Sequence, residues 1–281
     1  MVYAFNGREF AKKKENNLRI KVQDLRERGI TPKLVSILVG DDAGSRLYVS
    51  LKKKAGERIG CIVEVKKFHL GARIDESIHR IKSFIKLLNQ DRDIHGIMIQ
   101  LPLPENLRSE TANLINAIAP EKDVDGLIEG SPYTPATVKA VLEIMDQALK
   151  IVRRTLKEAP YKVCVVGASG MVGRPLVKLL KENGYSVIGV DLNTKYIIQN
   201  TKDANVLISA TGVLNLIKGN MVKEGAIVID VGSPKGDVDF DSVSKKASFI
   251  SPVPGGVGPV TIFCLLENLV NSASLDGKAI S

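Results

Sequence analysis

Residues 162–175 read KVCVVGASGMVGRP. The run KVCVV has the length and apolar character of a buried strand. It enters a turn holding Gly167, Gly170 and Gly173, and a helix is expected over 172–182. Glycines in such a turn expose backbone N–H groups at a helix N-terminus, where the helix dipole favours a pyrophosphate. A glycine-rich turn alone is also consistent with a plain strand-to-helix connection. However, the next strand, 186–190, runs into Asp191, 24 positions after Gly167. A carboxylate there can accept hydrogen bonds from ribose hydroxyls. Strand, glycine turn, helix, strand and acid together predict a dinucleotide-binding βαβ unit.

Two more strands, 206–209 and 226–230, extend this unit. A helix over 137–147 and a break at Ala159-Pro160 precede it. The amino-terminal half alternates in the same way. A basic amphipathic helix runs up to Gly29, then strand 34–39, helix 45–59, strand 62–65 and helix 75–88 with Asp75 near its cap. Strand 96–100 and helix 109–118 follow. Strands alternating with helices imply an α/β protein with parallel sheets covered on both faces and ligands at the strands' carboxyl ends. Gly40, Gln100 and the loop 123–126 fall at such an edge. Near the end, 249–259 reads FISPVPGGVGP, with three prolines and three glycines from Pro252 to Pro259. This describes a rigid loop with exposed backbone donors, able to approach a flat ligand closely, or a plain surface turn. A terminal helix, 260–274, follows.

Composition bounds the function. The chain has 281 residues, 44% of them hydrophobic and 25% charged, which suits two globular domains of ordinary size. No apolar run reaches the ~18 residues of a membrane span, and residues 1–17 lack the apolar core of a signal peptide. Cys61, Cys164 and Cys264 form neither a metal spacing nor a disulfide framework, so they are expected to pack as small hydrophobes in a reducing cytoplasm. No metal is expected. The net charge of +9 admits a nucleic-acid partner, but the lysines are spread along the chain. Aromatic residues make up only 5% and tryptophan is absent, which disfavours a base-stacking surface. The charge fits an anionic cofactor and a carboxylate-bearing substrate instead. No nucleic-acid or membrane partner is expected.

The stretch 40–56 reads GDDAGSRLYVSLKKKAG, and helical spacing puts Tyr48 and Lys52 on one face. A phenol beside an amine near a strand's carboxyl end makes an acid/base pair if the amine is partly buried or hydrogen-bonded. An ordinary lysine stays protonated to about pH 10.4. The plain alternative is a solvated basic face of Lys52, Lys53 and Lys54 with Tyr48 packed beside it.

Together with HGIMIQLPLP, IAPEKDVDGL, GASGMVGRP, EGAIVIDVG, GDVDF and SPVPGGVGPVT, this stretch resembles the bifunctional methylenetetrahydrofolate dehydrogenase/cyclohydrolase family. The pieces come in the family's order and span nearly the whole chain. The resemblance implies two α/β domains: a folate-binding catalytic domain, 1–128, completed by 260–281, and a Rossmann-type NAD(P)-binding domain, 129–259. The terminal helix would return to the first domain. It also implies oxidation of 5,10-methylene-tetrahydrofolate to the methenyl form and hydrolysis of that form to 10-formyl-tetrahydrofolate in one cleft. Lys52 would be the acid/base group of hydrolysis, Tyr48 would stack on and position the folate, and Gln100 would tune Lys52. Asp125 would bind the pterin, with Asp123 bracing its loop. Pro254, Gly255 and Gly256 would line the folate side. The cofactor-binding set would be Gly167, Ala168, Ser169, Gly170, Val172, Gly173, Asp191, Thr211, Gly212 and Gly232. A homodimer through the Rossmann domain is implied as well.

The chain departs from the family in three places. The loops LIEGSPYTP after KDVDG and SPK after IDVG are short, and Asp191-Leu192-Asn193 stands where NADP-using members often carry Ser or Arg. The family expectation is NADP, whereas Asp191 leans toward NAD. Three other readings have distinct signatures. A monofunctional dehydrogenase would have lost hydrolysis. A short-chain dehydrogenase places its Tyr-x-x-x-Lys after the glycine turn, but here the pair precedes Gly167 by more than a hundred residues. A basic nucleic-acid binder leaves GIMIQLPLP, KDVDG and PVPGGVGP unexplained.

Overall fold

The computed structural model describes residues 2–152, 162–195 and 197–276. In chain order the elements are β1 (Tyr3–Ala4), α1 (Gly7–Glu27), β2 (Lys33–Val39), α2 (Ala43–Ile59), β3 (Ile62–Phe68), α3 (Ile74–Gln90), β4 (Gly96–Ile99), α4 (Thr111–Ile115) and α5 (Ala136–Val152). They continue with β5 (Lys162–Val166), α6 (Gly173–Glu182), β6 (Ser186–Val190), α7 (Ile197–Lys202), β7 (Val206–Ser209), β8 (Ile227–Asp230), α8 (Phe240–Val243), β9 (Phe249–Ser251) and α9 (Val257–Asp276). The break expected at Ala159-Pro160 lies outside the described residues. Among the described residues, no helix is long and apolar enough to cross a membrane.

The chain forms two compact units, residues 12–136 with 262–281, and residues 1–11 with 137–261. These differ from the boundaries read from sequence, most clearly at the amino terminus. Residues 1–11 belong to the other unit, and Tyr3–Ala4 is a strand there and not part of the expected amino-terminal helix. Aromatic packing is the reason: the Tyr3 and Phe5 rings each lie 5.6 Å from Phe249, and Phe5 is buried.

In the first of these units a parallel sheet has the order β3-β2-β4. Its central strand, KLVSILV, is buried on both faces, as expected of a parallel strand covered by helices. The core joins Val35, Ile37 and Val39 to Ile81 and Ile85 of α3 and to Ile97 and Ile99 of β4. Helix α2 starts two residues earlier than read from sequence because Asp42 caps it, its carboxylate accepting from Ser45 N at 2.6 Å. Asp75 lies in the first turn of α3, near the cap residue Arg73, as expected. The helix expected over 109–118 is a 3-10 turn, Glu105–Glu110, followed by α4. Residues of α9 pack into this unit: Asn268 Nδ2 donates to the carbonyls of Val124 (2.9 Å) and Thr134 (3.1 Å), and Ser272 Oγ to that of His95 (2.7 Å).

The other unit carries a six-stranded parallel sheet, β1-β9-β8-β7-β5-β6. The chain passes from β5 to β6 on one side, then to β7 on the other, so the order reverses between β5 and β7. That is the topological switch point where open α/β sheets bind ligands. Residues 249–251, read from sequence as part of a loop, are the buried strand β9. The proline- and glycine-rich loop begins at Pro252, and α9 takes up Pro259 in its first turn, where proline is tolerated.

Candidate active site

In the unit built on β2, helix α2 buries Val49, Lys52, Ala55, Gly56 and Ile59. These positions form one helical stripe, and an amine stands in the middle of it. Lys52 is only 8% exposed, unlike its neighbours Lys53 and Lys54, so the picture of three solvated lysines does not hold. Its Nζ donates to Gln100 Oε1 at 2.9 Å. Gln100 is fixed in turn: its Nε2 donates to Leu101 O (2.7 Å) and its backbone N to Ile37 O (2.8 Å), continuing the β4–β2 ladder. The amide therefore presents its oxygen, not its nitrogen, to the amine. Tyr48 is half-buried one turn earlier on α2.

Burial lowers the Lys52 pKa, opposed by the charge of Asp125. Burial raises that of Asp125, opposed by Lys52. The two groups thus share one electrostatic environment, and both are pushed toward their neutral forms. No hydrogen bond from the described residues reaches the Asp125 carboxyl. Asp123 is different. It is 1% exposed, and its two oxygens accept from Gly126 N (3.1 Å) and Ile128 N (2.8 Å). It holds the loop on which Asp125 sits.

In the unit built on β5, the glycine-rich turn follows the strand as expected. Gly167 has φ +86°, and a Cβ there would lie 2.5 Å from Ala210 O. A Cβ at Gly173 would lie 2.0 Å from Gly167 O, so both positions exclude side chains. Ala168, Ser169, Gly170 and Val172 complete the turn into α6. The Asp191 carboxylate, at the end of β6, accepts from Ser169 N at 3.1 Å, so it faces the turn. Leu192 and Asn193 are exposed, as are Arg174 and Lys195. Thr211 and Gly212 follow β7, and Gly232 follows β8, both at carboxyl ends of the same sheet. The turn, the switch point and the facing acid fit a dinucleotide.

The loop after β9 also lies in this unit. Pro254 is exposed, Gly255 half-buried with φ +104°, and Gly256 buried. The start of α1 buttresses it: Gly7 N donates to Gly255 O at 2.9 Å, and a Cβ at Gly7 would lie 1.9 Å from Gly256 O.

Sequence reasoning missed two buried acids here. Asp230 Oδ1 accepts from Gly232 N (2.8 Å) and Asp237 N (3.0 Å), and its Oδ2 from Val238 N (2.9 Å). Asp237 accepts from Ser209 and Thr211. The motif GDVDF pointed to the family without saying what its first acid does.

The chain is similar to known proteins in sequence and in fold. Residues 5–125 match the family described as tetrahydrofolate dehydrogenase/cyclohydrolase, catalytic domain, and residues 135–276 match its NAD(P)-binding domain. Bifunctional protein FolD of Nautilia profundicola is 41% identical, with 98% of each chain covered. The crystal structure of bifunctional FolD, methylenetetrahydrofolate dehydrogenase/cyclohydrolase, from Campylobacter jejuni aligns with a TM-score of 0.86 at 36% identity, covering 98% of this chain and 99% of that one. The Trypanosoma brucei enzyme, complexed with NADP cofactor and inhibitor, aligns at 0.87 with 29% identity over 98% of both chains.

Proposed function

The chain belongs to the tetrahydrofolate dehydrogenase/cyclohydrolase family, and on that premise we propose that Lys52 is the proton-handling group of its hydrolytic reaction. The enzyme oxidises 5,10-methylene-tetrahydrofolate to the 5,10-methenyl form and hydrolyses that form to 10-formyl-tetrahydrofolate. The observation that carries the assignment is the buried Lys52 Nζ, 2.9 Å from a neutral amide oxygen. A carboxylate in that place would hold the ammonium form, whereas an amide orients the nitrogen and leaves its proton exchangeable.

As water adds to the methenyl carbon, neutral Lys52 accepts the proton the water loses. The carbon's bond to the ring nitrogen then breaks, and that nitrogen takes up the proton of the new hydroxyl. Lys52 returns its proton to solvent. Tyr48 stacks on the folate and guides the lysine. Asp125 accepts hydrogen bonds from the pterin's amino and ring N–H groups. Pro254, Gly255 and Gly256 contribute to folate binding. The contact between Lys52 and Gln100 favours a two-activity enzyme over a dehydrogenase that has lost hydrolysis.

NAD(P)+, when bound, supplies the hydride acceptor for the oxidation. Gly167, Ala168, Ser169, Gly170, Val172 and Gly173 hold the pyrophosphate, with Thr211, Gly212 and Gly232 on the neighbouring strand exits. Asp191 accepts from the ribose hydroxyls. A carboxylate there repels a 2′-phosphate, and Leu192 and Asn193 supply no cation, so NAD serves at least as well as NADP. The enzyme acts in the cytoplasm as a homodimer through this unit. The edge strand β6, with Ile188 42% exposed, supports a protein partner on that edge.

Absorbance of methenyl-tetrahydrofolate, followed with NAD, with NADP and with no cofactor, tests the reading. Expected are cofactor-dependent appearance from the methylene substrate and cofactor-free decay faster than in buffer. Absence of the enzymatic decay would overturn the role of Lys52.

A further inference from the structure

We propose that Asp237 is a positioning residue for the cofactor, holding the exit of β7 against the glycine-rich turn that follows β5. The proposal deepens the reading of this unit as the NAD(P) site and rests on it.

Asp237 is 0% exposed. One of its oxygens, Oδ2, accepts from Ser209 Oγ (2.9 Å), Thr211 N (2.6 Å) and Thr211 Oγ1 (2.8 Å). Thr211 Oγ1 accepts in turn from Val213 N at 3.2 Å. One carboxylate oxygen thus ties the last residue of β7 to the turn beyond it. That turn is packed against the cofactor loop: a Cβ at Gly167 would lie 2.5 Å from Ala210 O and 3.3 Å from the Thr211 methyl. Because β5 and β7 flank the switch point, a displacement of Thr211 moves one side of the site where the dinucleotide lies.

The carboxylate is itself rigidly mounted. Asp230 accepts from the backbone N of Asp237 and of Val238, at 3.0 and 2.9 Å. The other Asp237 oxygen, Oδ1, is buried without a hydrogen-bond partner, and a Cβ at Gly232 would lie 2.5 Å from it. Asp237 therefore sits between the exits of β7 and β8. An oxygen buried without a donor is unfavourable, so packing alone does not explain an acid here. The gathering of three donors on Oδ2 does.

The two activities provide the test, since hydrolysis uses no dinucleotide. In Asp237→Ala, the KM for NAD(P)+ should rise about tenfold or more, and NAD(P)H binding followed by fluorescence should weaken in parallel. Cofactor-free hydrolysis should stay within about twofold of the wild-type rate. Asp237→Asn, whose amide oxygen can still face Ser209 and Thr211, should recover most of the lost affinity. An unchanged cofactor KM, or hydrolysis falling in step with oxidation, would overturn the proposal. Should the alanine variant not fold, Ser209→Ala carries the test, removing one of the three donors: a rise in cofactor KM of about two- to threefold supports the assignment and none overturns it. A wild-type enzyme with no NAD(P)-dependent oxidation would instead remove the functional reading, and the Asp237 assignment with it.

Discussion

Both units hold carboxylates that are buried or half-buried, and their surroundings are of two kinds. Asp230 accepts three backbone N–H groups and Asp123 accepts two, so burial and hydrogen bonding oppose each other and the acid becomes a rivet for its loop. Asp125 lies two residues beyond Asp123, and its opposing influence is the charge of Lys52. Burial alone therefore does not mark a reactive group. A buried acid saturated by backbone donors holds shape, whereas a buried charge balanced by one titratable partner can change protonation state during a reaction.

Lys52→Met probes the reactive side of this contrast and carries the largest expected effect. Cofactor-free hydrolysis should fall by about two to four orders of magnitude, measured as methenyl absorbance, with NAD(P) affinity unchanged. Stability should move the other way. Burial lowers Lys52 from its ordinary 10.5, so between the lowered native value and 10.5 the unfolded chain binds more protons. Stability rises with pH across that window, and below it the buried ammonium is unfavourable. Methionine keeps the bulk without the charge, so Tm at pH 7 should increase. A lower Tm would make Lys52 a structural lysine. In the wild type, hydrolysis should rise with pH through the lowered Lys52 value.

Asp230→Ala probes the rivet. It leaves three buried N–H groups without their acceptor and should lower unfolding free energy by about 3 kcal/mol or more, read from the urea midpoint. An unchanged midpoint would break the distinction between the two kinds of buried acid.

Asp125→Ala sharpens it further. The folate KM should rise in both reactions by about one to two decades, the equivalent of a charged hydrogen bond. Loss of the negative charge also lets the Lys52 pKa fall further, so the rise of hydrolysis with pH should move to lower pH. An unchanged folate KM would place Asp125 with the structural acids.

Asp191→Ser carries the smallest effect. The wild type should use NAD at least as well as NADP by kcat/KM, and the variant should shift the ratio toward NADP. A wild type preferring NADP by about tenfold or more, ~1.4 kcal/mol, would defeat this reading and leave the folate assignment standing.

What could be read from sequence was local. Helical spacing already set Tyr48 and Lys52 on one face of α2. The spacing from Gly167 to Asp191 predicted the acid that the structure turns toward Ser169. Strands β1 and β9, two and three residues long, escaped because so short a run has no periodicity. They form because Tyr3 and Phe5 meet Phe249, a contact spanning nearly the whole chain. The hub of Ser209, Asp230 and Asp237 escaped for the same reason.

The amino-acid sequence by itself determined the alternation of strands and helices, the glycine turn and the identity of the titratable groups, since these depend on neighbours a few residues apart. Only the tertiary structure decided which of those groups are pushed from their ordinary protonation. Gln100 comes to Lys52 from 48 residues away, and the charge of Asp125 reaches it from another loop. Desolvation and hydrogen bonding are properties of the atoms that folding brings around a group, and most of those atoms come from other elements of the chain.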